Sequence, residues 1–531
     1  MMSVTRRDAT RGLLAAGACT LLPGSPGAWA SDPGIAPLKQ SFDPARLPSQ
    51  DRLWSWIEAL NSFGPRLTGS DAHRRSLEFI ATELTDIGLQ VQRDSYRFRR
   101  WHPKRWELSV RETSGSARSV PVSAYFPYSG VTPASGVRAP LVYLGKAPDS
   151  FESAAGKIAI VEVDTPDIGW LLRYMMFTCK TPTPDPTADF PDDLSTPLIG
   201  GLLKASGIQL SAAGKAGVRG VICVWRGCSE QNALNQYLPF TTPYQDCPAL
   251  WVGPQSGAQL EAAAKRGAQA TLTMEADLDP QALTETLYAV LPGTNAAETI
   301  IINTHTDGPN ACEENGPAGL LALARYAASL PKEARQRSLV FVFATGHFQM
   351  PEVGTQGQST SAWLRKHPEL WDGKQGHAQA VAGLTLEHLG CMEWKDDEQR
   401  RHYRATGQLE RELVYTTNAT MERIYADALR SRTKVRSLTL SPRNKVFIGE
   451  GAALYDVGIP SISMCPIPDY LCTAPADGDI GKLDPAFAHQ QVTTFAKAML
   501  HMDALPRTAL GAPDEQTTNL GGYLLRLALG N

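Results

Sequence analysis

Apolar and polar positions follow one another in blocks along this chain, and the clearest block runs over residues 287–344. Within it, Thr299-Ile300-Ile301-Ile302-Asn303-Thr304 is a short β-branched run closed by turn residues. That pattern predicts a strand buried on both faces, as inside a parallel sheet. A helix apolar nearly all round is expected over 320–330, and a second buried strand over 338–343. Further strands are expected at 381–386 and 458–464, with helices at 421–429 and 486–502. Upstream, Leu77, Ile80, Ala81 and Leu84 share one face of an amphipathic helix over 73–87, which Gly88 ends before a strand begins at Leu89. Strands alternating with helices predict an α/β fold with a mostly parallel sheet flanked by helices.

Between residues 101 and 283 the texture changes to short apolar runs at 142–145, 157–161, 218–224 and 249–252, with one helix expected over 202–216. This stretch reads as an inserted, smaller, β-rich α/β domain without chemistry of its own. Residues 181–197, rich in Pro, Asp and Thr, read as a surface loop. The expected division is a leader at 1–30, a mobile linker at 31–50, a main domain at 51–100 and 284–505, the insertion at 101–283, and a tail at 506–531.

Composition changes this picture little. Among 531 residues, 43% are hydrophobic and 20% charged, and the net charge is −3. These values fit a soluble globular protein, and no basic stripe points to nucleic acid. No apolar run after the leader is long enough to span a bilayer. The leader carries Thr5-Arg6-Arg7-Asp8, an apolar run and Ala28-Trp29-Ala30, which resembles a twin-arginine export signal; a general secretory signal is the alternative. A periplasmic or secreted location follows. Export permits disulfides, and Cys223 with Cys228 or Cys247 are local candidates, although connectivity is not readable from one sequence.

The candidate chemistry lies at strand ends. His305 closes the first buried strand, His347 follows the second, and Glu387 and His388 close a third, while Glu313 and Glu314 occupy the loop after the first. Open α/β sheets place their sites at the carboxyl ends of their strands. Imidazole and carboxylate together suit zinc. Asp307 is placed to orient a ligating histidine. His388 is an alternative ligand, provided the strand ends before it. Arg66-Leu67-Thr68-Gly69-Ser70 reads equally well as a turn whose Ser70 caps the following helix.

Thr304-His305-Thr306-Asp307, then Glu314-Asn315-Gly316 and the helix after it, resemble the M28 aminopeptidase family. Arg66 to Ser70 and Gly458-Ile459-Pro460 match further elements of that family, and the insertion resembles a protease-associated domain through residues 215–222. The resemblance implies a zinc-exopeptidase-like fold and a peptide or small amide substrate. Family members bind two zinc ions that share an aspartate, with a Glu-Glu pair giving a general base and a ligand. Carried over, this puts first-metal ligands at His305, Glu314 and Glu387 and the general base at His347. The second-metal glutamate falls on Phe348. The closing histidine falls on Cys472, or on Leu471 if the match slips by one, and a Cys472 thiolate would favour zinc. The implied activity is an exported, single-zinc hydrolase. The alternatives are a binding protein that keeps the peptidase scaffold without catalysis, and a scaffold recruited to cyclisation or amide transfer. Specificity is expected from residues 349–358 and the loop around Met392 and Trp394.

Overall fold

A computed structural model describes residues 41–514, apart from 114, 147, 149, 166–176, 180–196, 198–207, 240–241, 349, 351–355 and 443–446. The leader, the 181–197 loop (save Pro197), the first part of the 202–216 helix and much of the 349–358 loop lie outside the described residues.

Four neighbouring strands organise the main sheet, in the order Arg337–Ala344, Asn295–His305, Gln379–Leu386 and Ser461–Met464, all parallel. Their residues are buried almost throughout, which explains why their sequences read as continuous apolar runs rather than alternating ones. On one face, Ile301, Val340 and Val342 pack with Trp363 and Leu364 of the Ser359–Lys366 helix and with Ala453 and Leu454 of the Gly451–Asp456 helix. The Gly316–Ala328 helix contacts the same strands and the long Pro485–Ala504 helix. A Cβ on Gly316 would lie 2.1 Å from Thr304 Oγ1 and 2.5 Å from the Leu386 carbonyl oxygen. Only glycine lets this helix start so close to the strand ends. Beyond Ser461–Met464 the sheet continues through Glu412–Thr416, antiparallel to it, and Ser437–Pro442.

The strand expected at Leu89 runs much further, as Val91–Arg111. It pairs antiparallel with Gln269–Leu291 from Val91 opposite Ala289 to Arg111 opposite Gln269. Sequence reasoning missed this ribbon because its outer residues are polar and bulge-like irregularities near Phe98 and Pro103 break the two-residue period. Positions 100/101 and 283/284, where the domain borders were expected, lie inside these two strands. One end of Gln269–Leu291 pairs with Arg337–Ala344 and the other with Val137–Lys146, so the ribbon joins the main parallel strands to those of residues 137–252. Further along the same sheet, Val137–Lys146, Ile158–Asp164, Gly220–Arg226 and Ala249–Val252 run parallel, with the Pro254–Lys265 helix packed against them.

Residues 41–49, expected to be part of a mobile lead-in, are held in place. Phe42 stacks on Tyr326 at 5.4 Å, and Arg46 donates to the Ser329 carbonyl at 2.6 Å. Cys223, Cys228 and Cys247, the local disulfide candidates, are buried free thiols. Among the described residues, no helix is long and apolar enough to cross a membrane.

Candidate metal centre

The carboxyl ends of the four parallel strands converge. His305 ends the second, the turn after the first supplies His347, the third is followed by Glu387 and His388, and the fourth by Cys465. Glu313, from the turn before the Gly316–Ala328 helix, reaches into the middle. Its Oε1 lies 3.9 Å from His305 Nε2 and 3.7 Å from His347 Nε2, and its Oε2 lies 2.8 Å from His388 Nε2. All four side chains are buried. Two groups have the spacing of a metal site among the described residues: His305, Glu313 and His347; and Glu387, His388 and Cys465.

Each histidine is oriented by a bond to its other nitrogen. His305 Nδ1 lies 2.9 Å from the Asp307 carbonyl oxygen, so Nδ1 donates there and Nε2 faces the site with its lone pair. Burial, together with the His347 charge, holds His305 well below its usual pKa and therefore neutral. His347 Nδ1 sits 2.8 Å from Glu450 Oε1. Burial pulls His347 down, but the Glu450 hydrogen bond and the charges of Glu450, Glu313 and Glu387 outweigh it and hold the ring at about 9. His388 Nδ1 lies 2.5 Å from the Pro466 carbonyl oxygen. Burial is likewise outweighed there, by Glu313 and Glu387, giving about 9. Without a metal, protons on His347 and His388 balance the carboxylates.

His388 has φ +57°. The strand ends at Leu386, and this left-handed residue redirects the chain so that Glu387 and His388 both serve one site, against simple strand alternation. Glu387 Oε1 accepts from the Glu450 N–H at 2.7 Å. A Cβ on Gly449 (φ +83°) would lie 2.2 Å from Glu387 Oε2 and 2.9 Å from Cys465 Sγ. Glycine is required for that close approach.

Glu450 was missed by sequence reasoning. It lies on no strand end and carries no motif; its role comes from where its turn is placed. Its carboxylate accepts from Ser359 N–H (3.1 Å), Ser359 Oγ (2.6 Å) and Thr360 N–H (2.7 Å), at the start of the Ser359–Lys366 helix, as well as from His347. Burial raises its pKa, but the His347 bond and the charges around it prevail and hold it at about 2.

The residues singled out from the sequence fall in different places. His305, His347 and Glu387 line the converged strand ends. The Glu314 carboxylate instead lies 2.9 Å from the Arg66 guanidinium, with both side chains 1% exposed, while its neighbour Glu313 reaches the histidines. The Asp307 carboxylate does not touch His305. It accepts from the backbone N–H groups of Gly346 (3.1 Å), His347 (3.4 Å) and Phe348 (2.9 Å), and from Thr68 Oγ1. Asp307 thus holds the His347 turn, and its backbone carbonyl orients His305. Cys472 is buried outside both ligand groups. Its carbonyl oxygen accepts from the Tyr237 N–H, at 2.5 Å, on the insertion side.

Ser70 caps the Asp71–Asp86 helix, accepting from the His73 N–H at 3.1 Å. The same segment also places Arg66 on Glu314 and Thr68 on Asp307, so the turn packs against the segments that carry the site residues.

Phe348 is fully buried and joins the apolar cluster that contains Leu67, Tyr128, Tyr237, Ile160, Ile222 and Leu250. Its ring meets Tyr237 edge-on at 5.6 Å. Phe348→Ala is expected to cost about 3–5 kcal/mol of stability. Phe348→Glu is expected to cost no less, because a carboxylate would be buried there without a partner. Urea denaturation of the two variants measures both.

The donor set and its charge balance fit a cation. Five buried carboxylates, Asp307, Glu313, Glu314, Glu387 and Glu450, surround the site. Glu313 Oε2 and His388 Nε2 meet each other at 2.8 Å, while Glu387 Oε2 is buried without a hydrogen-bond partner. Buried polar atoms left in this state are costly unless an ion or water completes them.

No protein-family model and no curated protein matches the chain. Solved structures do match. A peptidase M28 precursor from Shewanella amazonensis SB2B aligns with a TM-score of 0.60 at 16% identity, over 90% of this chain and 97% of its own. BSAP, a zinc aminopeptidase from Bacillus subtilis, aligns at 0.59 and 16% identity, over 88% of this chain and 99% of its own. An aminopeptidase from Aneurinibacillus sp. strain AM-1 aligns at 0.53 and 17% identity, over 86% and 94%. At these identities the likeness concerns the fold: a mostly parallel, helix-flanked sheet of the zinc-exopeptidase type, shared with M28 zinc aminopeptidases.

Proposed function

We propose that this chain is a metal-dependent hydrolase of peptide or related amide bonds, with one zinc ion held by His305 Nε2, His347 Nε2 and Glu313 Oε1. The observation that carries this reading is the convergence of two oriented imidazoles on one carboxylate oxygen at 3.7–3.9 Å. Zinc–ligand bonds of about 2.0–2.2 Å place neighbouring ligand atoms only slightly closer than this. The zinc aminopeptidase neighbours support it. A bound zinc supplies Lewis acidity toward an amide carbonyl.

The chain's own residues do the rest. Glu450 fixes the His347 tautomer and aims Nε2 at the site, as a carboxylate behind a ligating histidine does. Asp307 holds the His347 turn. Glu387, raised above the usual carboxylate range by burial, has Oε2 available to take and return a proton, the role that sequence matching alone gave to His347. Glu314 with Arg66 is structural in this reading. Glu450→Gln is expected to weaken zinc binding about 10–100-fold, checked by competition with a chromogenic chelator. Hydrolysis of aminoacyl amides that stops on chelation and returns with zinc tests the activity.

The position of Phe348 favours a second reading, a peptidase scaffold that binds peptides without cleaving them, because the residue matching a metal ligand in M28 enzymes is committed to packing. Peptide binding without chelator-sensitive turnover would select it. The leader reads as an export signal, which places the mature chain outside the cytoplasm, and the insertion is best taken as a protease-associated domain that gates or extends the cleft.

A further inference from the structure

Directly behind the proposed centre, two cysteines meet. Cys312 Sγ lies 3.0 Å from Cys391 Sγ, and both residues are fully buried. Thiols are weak donors and weak acceptors, so a contact this close gains little while both sulfurs stay protonated. Each backbone is firmly held. The Asn310 side chain accepts from the N–H groups of Cys312 (2.9 Å) and Glu313 (3.0 Å), and donates to the carbonyls of Tyr470, Leu471 and Thr473. On the other side, Asn315 and Leu389 exchange two hydrogen bonds at 2.9 and 2.7 Å, and the Gly390 N–H donates to Gln491 at 2.7 Å. The sulfurs therefore meet because two anchored loops bring them together. Closing to a disulfide of about 2.04 Å asks for a shift of about 1 Å.

We infer that Cys312 and Cys391 are a redox pair that closes into a disulfide, clamping the turn that carries Glu313 to the segment that carries His388. Cys312 directly precedes Glu313, and Cys391 follows His388 by three residues while donating to its carbonyl at 3.0 Å. The oxidant is an external disulfide of the glutathione or thiol-oxidase class. One cysteine sulfur attacks it and expels the first thiol. The second cysteine sulfur then displaces the other thiol from the mixed disulfide. Two electrons pass from the cysteines to the oxidant, and the two S–H protons end on the released thiols. Burial confines the exchange to folding or to an opening of these loops, and shields the bond once it has formed.

The bond stands on the sulfur contact alone; its effect on metal retention rests on the zinc reading above. The test incubates the full-length chain with oxidised glutathione at a urea concentration just below the unfolding transition, where the loops open, blocks free thiols with iodoacetamide in full denaturant, digests without reductant, and maps peptides by mass spectrometry. A cross-linked peptide pair joining positions 312 and 391 is expected, lost on adding dithiothreitol and absent from Cys391→Ser. The oxidised chain is expected to melt about 3–8 °C above the reduced one and to lose zinc to EDTA about tenfold more slowly. If Cys391→Ser does not fold, Cys312→Ala and the reduced wild type serve as the comparison. Recovery of both cysteines alkylated, or joined to other cysteines, overturns the pair. A mapped bond with unchanged zinc loss overturns the clamp. A chain that binds no zinc defeats the hydrolase reading, while the mapping still decides the bond.

Discussion

Methionine in place of Arg66 is expected to lower the unfolding free energy by about 3–5 kcal/mol. Arg66 and Glu314 form an ion pair with both side chains 1% exposed, 2.9 Å apart. The guanidinium also donates to the backbone carbonyls of Leu60 and Glu314, so one side chain ties the Gln50–Ser62 helix to the turn that carries Glu313 and Glu314. Burial lowers the Arg66 pKa and raises that of Glu314 well above its usual value, the signature of charges desolvated at a cost. Removing one partner leaves the other uncompensated, whereas removing both need not be costly. The double variant Arg66→Met with Glu314→Met is therefore expected to recover a large part of the loss. Urea denaturation of the two singles and the double closes the cycle, and additive losses would show that the pair does not act as a unit.

Alanine at His305 is expected to remove the zinc, to lower turnover at least 100-fold, and to lower the melting temperature at least to that of the zinc-free wild type. The size follows from the position. His305 is neutral, fixed through Nδ1, and one of three donors, so its loss leaves too few ligands to hold the ion against water, a larger effect than the 10–100-fold of an outer partner. Zinc retention with full turnover would remove His305 from the centre.

The strand ends were legible because each lies at the boundary of an apolar run that only a fully buried parallel strand produces. His305, His347, Glu387 and His388 could be found that way. Which of two adjacent glutamates faces the histidines could not: Glu313 and Glu314 are alike in sequence, and only the turn fixed by the Asn310 side chain, with Arg66 waiting behind, sorts them. Glu450 was invisible because its partners, His347 and the start of the Ser359–Lys366 helix, are about 90–100 residues away in the chain. The Val91–Arg111 and Gln269–Leu291 ribbon escaped because its strands are half exposed and irregular, so neither a buried run nor a clean alternation marks them. Phe348 stood out in sequence as a departure from the M28 pattern, and its packing on Tyr237 supplies the physical reason for an apolar side chain at that position.

The most direct test is the zinc content of the purified chain by inductively coupled plasma mass spectrometry, beside Glu313→Gln and Glu314→Gln. The account predicts about one zinc per chain in the wild type and in Glu314→Gln, and none in Glu313→Gln. Zinc retained by Glu313→Gln and lost from Glu314→Gln, or no zinc in the wild type after incubation with the ion, would contradict it.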